Sequence, residues 1–396
     1  MDNLPWGTDS ELTNNQFYNR KEDLESIKSL LNTTSMGSPP TIIMPGIRGV
    51  GKTVLLKKIK KELESDYMVS YVDLTQSYSY QSGKLTEIGI MHQFYKSWMK
   101  SAKEKGFNTL INSIKKKFST KKYKISQIID IGGYPIPITE SEEDYEKLLN
   151  FVLDFPQKIY NEYSNEIKGV IIIIDEFQAI KDLDKDLDGF LWFFRSIIQN
   201  QKNVAYVFSG SLNSKDIVFE KIASQMGAFG GRMLTIEINP FSKKTVYNYL
   251  NEKLPSLKLK KDGFERFYNC TNGIPHYVNT FANLLPKNKV LNNQDVKNEF
   301  KKIIPILADH LKYQWATLNL TEQKIIVSLV NKPLKRKEIS ESINIPSSSL
   351  SKSLNKLQNI SVIKNDKGIY SISEPILKAW LKEEYGNRGT YPYRII

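Results

Sequence analysis

Residues Thr41-Ile-Ile-Met-Pro-Gly46-Ile-Arg-Gly-Val-Gly51-Lys52-Thr53, followed by Val-Leu-Leu-Lys-Lys-Ile-Lys-Lys-Glu-Leu63, decide the reading of this chain. The segment runs strand, glycine loop, helix, and the loop satisfies G-x-x-x-x-G-K-[ST] at every fixed position. Gly46, Gly49 and Gly51 let the backbone curl, so that successive N–H groups around Val50, Lys52, Thr53 and Val54 face a phosphate. Lys52 then brings its ammonium to the β- and γ-phosphates, and Thr53 offers a hydroxyl to Mg²⁺. The helix that follows adds its positive end. Val54, Leu55, Ile59 and Leu63 form its apolar face and leave the lysines outside.

A second stretch, Gly169-Val-Ile-Ile-Ile-Ile-Asp175-Glu176-Phe177, supplies the acids. A run of β-branched residues predicts a strand buried on both faces of a parallel sheet. Its C-terminal end is where open α/β sheets bind ligands. There Asp175 is the candidate for the Mg²⁺ shell and Glu176 for the group that polarises the attacking water. Met68–Leu74, Asn203–Ser211 and Met233–Ile238 read as further strands. Ser209 and Ser211 end the second of these, either as polar groups between the acids and the γ-phosphate or as an ordinary Ser-Gly turn. Arg232, after Gly230-Gly231, is either a γ-phosphate contact in its own or a neighbouring subunit or a solvated loop residue. No Asn-Lys-x-Asp guanine-reading motif follows, so ATP is expected rather than GTP.

Composition narrows the class. The 396 residues are 40% hydrophobic and 25% charged, the balance of a folded globular chain of two or three domains. No apolar run approaches the ~18 residues that cross a bilayer, and the N-terminus carries no secretory signal pattern. One cysteine, Cys270, and three histidines exclude a disulfide framework and a His/Cys metal centre. Cys270 is expected to be a small buried hydrophobe. A cytoplasmic location is expected. The net charge of +13 favours a polyanionic partner.

That charge is concentrated late in the chain. Residues 321–396 hold 13 Lys and Arg against 7 Asp and Glu, a net of +6. The pattern there predicts a helix N-capped by Thr321, a second over Leu334–Ile343 and a third over Pro346–Leu357. A hairpin over 362–372 follows. Three helices and a hairpin describe a winged helix-turn-helix. Its third helix would present Ser347, Ser348, Ser351, Lys352, Asn355 and Lys356 to double-stranded DNA, and its wing Lys364 and Lys367. No arginine falls on that face, so backbone-dominated binding is expected. The other use of such a module is to pack on the core and meet a protein. An insertion at about 78–165 contains an amphipathic helix around Leu85–Lys103, the basic run Lys115–Lys124 and a Gly-Gly-Tyr-Pro-Ile-Pro loop.

With these pieces in order the chain resembles the archaeal ATPase family, STAND-type, AAA+-related P-loop NTPases. Phe17-Tyr-Asn-Arg20-Lys-Glu22-Asp-Leu resembles the family's F-x-x-R-x-x-E-L box, which implies that Arg20 packs beside the adenine. Asn239-Pro-Phe-Ser242 resembles its entry into a helical lid. Thr271-Asn-Gly273-Ile-Pro275-His-Tyr-Val resembles its G-G-x-P-x-Y-L turn, with Asn272 in place of the first glycine; the resemblance implies that Pro275 reaches the nucleotide. The architecture expected is an α/β P-loop core over 1–240, a helical lid over 241–316, a winged helix over 317–385 and a tail. The activity expected is Mg-ATP binding and hydrolysis controlling a DNA-binding module. A low-turnover switch binding a protein partner, or a replicon DNA-transaction ATPase that self-associates, are the rival readings.

Overall fold

The computed structural model describes residues 4–6, 16–108, 128–130, 135–137, 142–211, 217–360 and 362–393. Five parallel strands form the central sheet: β1 (Thr41–Pro45), β2 (Met68–Asp73), β5 (Val170–Asp175), β6 (Val204–Gly210) and β7 (Leu234–Thr235), in the order β2-β5-β6-β1-β7. The strand β6 therefore lies between the glycine-loop strand and the Asp-Glu strand.

Side-chain alternation explains why the strands are apolar throughout. Ile43, Ile172, Ile174, Tyr206 and Phe208 face one layer of helices, Glu87–Glu104, Glu142–Tyr163 and Leu187–Ile198. Their neighbours Ile42, Met44, Ile171, Ile173, Ala205 and Val207 face the other, Lys21–Asn32 and Lys52–Leu63. A sheet covered on both sides leaves only its C-terminal edge open to chemistry. The Lys52 helix buries Leu55, Leu56, Ile59 and Leu63, while Val54 is half-buried.

The insertion supplies the helix at Glu87–Glu104, close to the expected one, and the short hairpin β3 (Ile128–Asp130) with β4 (Pro135–Pro137). The basic run Lys115–Lys124 lies outside the described residues.

Beyond Phe241 the chain is mostly helical, with a parallel pair β8 (Lys258–Leu259) and β9 (Val290–Leu291). One continuous apolar cluster runs from Phe241 to Leu381 and also takes in Leu4. Cys270 sits within it, and burial pushes its thiol up to about 12. Asn272 closes the helix Lys261–Thr271 in the left-handed region at φ 48°, where asparagine is tolerated. Gly273 follows at φ 68°, and a Cβ there would overlap the Phe241 carbonyl.

Towards the C-terminus come helices Leu320–Ser328, Arg336–Ile343 and Ser351–Asn359 and an antiparallel sheet ordered β10 (Leu334–Lys335), β12 (Ile369–Ile372), β11 (Ile363–Asp366). Three details differ from expectation. The third helix begins only at Ser351, after a 3₁₀ turn over Ser347–Leu350. The first helix is capped by Asn319, not Thr321: Asn319 Oδ1 accepts from Glu322 N while Glu322 Oε2 accepts from Asn319 N, a reciprocal box. The second helix starts at Arg336, because Leu334 and Lys335 pair with Tyr370 and Ile369 instead. Lys367 and Gly368 form the two-residue hairpin loop with φ of 48° and 87°, the pair of positive values that a tight turn with the strands' own twist requires.

Candidate nucleotide site

The loop leaves β1 at Pro45 and enters its helix at Lys52. Gly49 (φ 79°) and Gly51 (φ 98°) adopt backbone that a side chain resists. At Gly46 the constraint is space: a Cβ would stand 2.8 Å from the Ile238 carbonyl. Lys52 Nζ donates to the Gly46 carbonyl at 2.7 Å and to that of Ile47 at 3.1 Å, which holds the ammonium inside the loop's curl. Burial pushes its pKa down to about 8 against the opposing pull of Asp175 and Glu176.

The acids arrive from β5. Thr53 Oγ1 donates to Asp175 Oδ2 at 2.8 Å, and Tyr71 from the neighbouring β2 donates to the same oxygen at 2.7 Å. Asp175 Oδ1 accepts the Glu176 N–H at 3.0 Å. Glu176 stands in the left-handed region (φ 53°, ψ 36°), a conformation that costs a non-glycine residue about 1–2 kcal/mol. Burial raises its carboxyl above the ordinary range, and a hydrogen bond from Gln178 Nε2 opposes that.

Ser209 lies across from Met44 and one residue beyond the Ile174–Phe208 pair, between the glycine-loop strand and Asp175. It is fully buried, and its hydroxyl has no hydrogen-bond partner among the described residues. Lys52, Thr53, Asp175, Glu176 and Ser209 thus meet at one sheet edge. A nucleotide's phosphates and a hard cation fit this donor set: a curl of glycine backbone, an ammonium, a hydroxyl beside a carboxylate, and a buried hydroxyl lacking a partner. Among the described residues no group of three His, Cys, Asp or Glu forms a metal site by itself. Mg²⁺ takes one or two protein oxygens and completes its shell with phosphates and water, and Thr53 and Asp175 offer such oxygens.

Two candidates occupy other positions. Arg232 is exposed, and its guanidinium has no partner among the described residues. Arg20 acts as a brace. It donates to the carbonyls of Val50 (3.0 Å) and Asn239 (2.6 Å), pairs with Asp23 at 3.2 Å and stacks 5.1 Å from the Phe241 ring. It thereby ties the glycine loop to the junction with the helical part.

Pro275 opens the helix Pro275–Leu284, which lies against the loop from the far side. His276 N donates to the Gly49 carbonyl at 3.2 Å, and a Cβ on Gly49 would stand 3.0 Å from His276 Cβ. The next residue, Tyr277, is buried close to Glu374, whose carboxylate caps the last helix by accepting from Ile376 N at 3.2 Å. Sequence reasoning singled out neither Tyr277 as a contact nor Glu374. The capping position of Glu374 immediately before Pro375 was the available signal.

The candidate DNA residues lie together on the C-terminal part. Ser348, Lys352, Lys364 and Lys367 are exposed. Lys356 donates to Glu322 at 2.9 Å. Arg336, from the preceding helix, donates to the Ser347 carbonyl at 2.9 Å and to Ser351 Oγ at 2.6 Å. No helix among the described residues is long and apolar enough to cross a membrane.

Residues 17–281 match the family model described as an ATPase domain predominantly from Archaea. Two ATP-binding proteins of Methanocaldococcus jannaschii, themselves uncharacterized, are similar. One is 24% identical over 280 residues, 66% of this chain and 68% of that protein; the other is 22% identical over 292 residues, 66% and 70%. Among solved structures, the Walker-type ATPase of Pyrococcus abyssi superposes with a TM-score of 0.63 at 16% identity, covering 96% of this chain and 100% of the other, which shows a shared fold.

Proposed function

The chain belongs to the ATPase family found predominantly in Archaea, and on that footing we propose that it hydrolyses Mg-ATP and uses nucleotide state to set the position of a C-terminal winged helix that binds duplex DNA. In this reading residues 1–240 are the ATPase core, 241–316 a helical lid, 317–385 the winged helix and 386–396 a tail, in a cytoplasmic protein.

The loop amides of Val50, Gly51, Lys52, Thr53 and Val54 hold the phosphates, and Lys52 balances charge on the β- and γ-oxygens. Thr53 and Asp175 would hold Mg²⁺, which when bound neutralises charge on the phosphate oxygens. Glu176 takes a proton from water as its oxygen bonds to the γ-phosphorus. The bond from phosphorus to the bridging oxygen breaks, and its electron pair leaves with ADP. Ser209, with a free donor, faces the developing charge. Arg232 is the candidate for a γ-phosphate contact in its own or a neighbouring subunit. Ser348, Lys352, Lys356, Lys364 and Lys367 supply the DNA face, contacting phosphates rather than reading bases.

The observation that carries the coupling is the pair His276 and Tyr277. Two consecutive residues touch the glycine loop on one side and the cap of the last helix on the other. A change in the loop is therefore felt at the C-terminal part through a single turn of helix.

The test is ATP turnover with and without duplex DNA, with Lys52→Ala as the blank. Stimulation of turnover by DNA, lost as salt rises, supports the reading. Turnover indifferent to DNA would assign the C-terminal part to a protein partner.

A further inference from the structure

We propose that Gln178 is the positioning residue for Glu176, orienting the carboxylate from the exit of β6. The inference rests on the reading of Glu176 as the group that activates water.

The geometry starts at the strand end. Ser211 N donates to Gln178 Oε1 at 2.9 Å. Because that oxygen is held as an acceptor by a backbone N–H, the other end of the amide is necessarily the NH₂. Gln178 Nε2 donates to Glu176 Oε2. The amide thus has one allowed polarity, and the carboxylate receives a donor whose direction is set by the sheet rather than by the side chain's own freedom.

Two neighbouring features make the arrangement specific. Gly210 lies directly under the amide, and a Cβ there would overlap Gln178 Oε1. The turn that carries both residues is pinned by Phe177, which is buried and packs on Phe208 of the same β6 at a centroid distance of 4.6 Å. Glu176 is itself held left-handed at the start of this turn. Such a residue stays put only where its surroundings over-determine it. The Ser211–Gln178–Glu176 chain is part of that determination, leaving the second carboxylate oxygen, Oε1, for water.

A positioned base contributes about 10²–10⁴-fold to rate, so loss of its orientation reads in kcat and not in nucleotide affinity. ATP turnover and ATP affinity are measured for Gln178→Leu, Gln178→Glu, Glu176→Gln and the double variant Glu176→Gln/Gln178→Leu. Gln178→Glu keeps size and replaces the donating NH₂ by an oxygen, so it reports even if the leucine variant does not fold. The expected result is a loss of at least about tenfold in kcat for either change at 178, with ATP affinity within about twofold of the parent. The double variant should be no slower than Glu176→Gln alone, since Gln178 acts only through Glu176.

Full turnover by a folded Gln178→Glu or Gln178→Leu, or multiplied losses in the double variant, would overturn the proposal. Those outcomes leave the site reading standing if Glu176→Gln is inactive. Normal turnover by Glu176→Gln would remove the site reading itself and this inference with it.

Discussion

Lys356 and Glu322 form an ion pair of 2.9 Å in which the two partners have opposite surroundings: the lysine side chain is 48% exposed and the carboxylate 3%. Glu322 is also half of the capping box with Asn319. Its charge is thus matched from within the fold and from the surface of the Ser351–Asn359 helix.

Lys356 therefore has two consequences where Lys352 has one. Lys356→Ala leaves a buried carboxylate short of a donor and should cost about 1–2 kcal/mol. Lys352→Ala should stay within ~0.5 kcal/mol. Urea unfolding curves of the two variants measure the difference. For DNA binding, the clean probes are Lys352, Lys364 and Lys367 changed to glutamate, which should weaken binding and flatten its salt dependence. Unchanged affinity in that triple variant would exclude this face.

Glu374 gives a pH dependence with a definite sign. Burial raises its carboxyl above the ordinary range, so the folded state binds the proton more tightly than the unfolded chain does. Stability contributed by this group is full below about pH 4.3 and falls as pH rises through that value to the raised one. Glu374→Gln keeps an acceptor for Ile376 N and removes the charge. It should be at least as stable as the parent at pH 7 and lose the advantage near pH 4. Tyr277→Phe removes the hydroxyl that lies close to the Glu374 carboxylate and should cost about 1 kcal/mol. In hydrogen exchange it should also erase any effect of ATP on the 363–372 hairpin; an effect of parental size would end the role of this contact in coupling.

Arg20 braces two carbonyls that belong to different parts of the chain, Val50 and Asn239. A lysine cannot reproduce that fork or stack on Phe241 in the same way. Arg20→Lys should weaken ATP binding by about tenfold through the loop's geometry. Calorimetry of ATP binding checks this, and unaltered affinity would show that the loop holds its shape without the brace.

What was legible in the sequence is what chemistry forces to be contiguous. Gly46–Thr53 and Asp175-Glu176 had to be written as short runs because one loop and one strand end must deliver them. The sheet edge at which they meet followed from those runs. The position of β6 between β1 and β5 is a matter of register between distant segments, and no local pattern encodes it. Gln178 lies two residues from Glu176, yet its partner is Ser211, across the sheet. Tyr277 and Glu374 are still further apart in sequence. The cap of the Leu320–Ser328 helix is a different case. Asn319 followed three residues later by Glu322 is a complete capping-box signature, and Thr321 drew attention because it is itself a good capping residue. Leu334 and Lys335 fit a helical pattern, and only the hairpin they pair with makes them a strand.

The single apolar cluster from Phe241 to Leu381 has a mechanical meaning. Sliding one half of that stretch past the other would open its interior to water, which opposes such a slide. The helix that meets Gly49 and the hairpin residues Ile363 and Tyr370 belong to this same cluster, so a displacement of one has to be accommodated in the packing of the other.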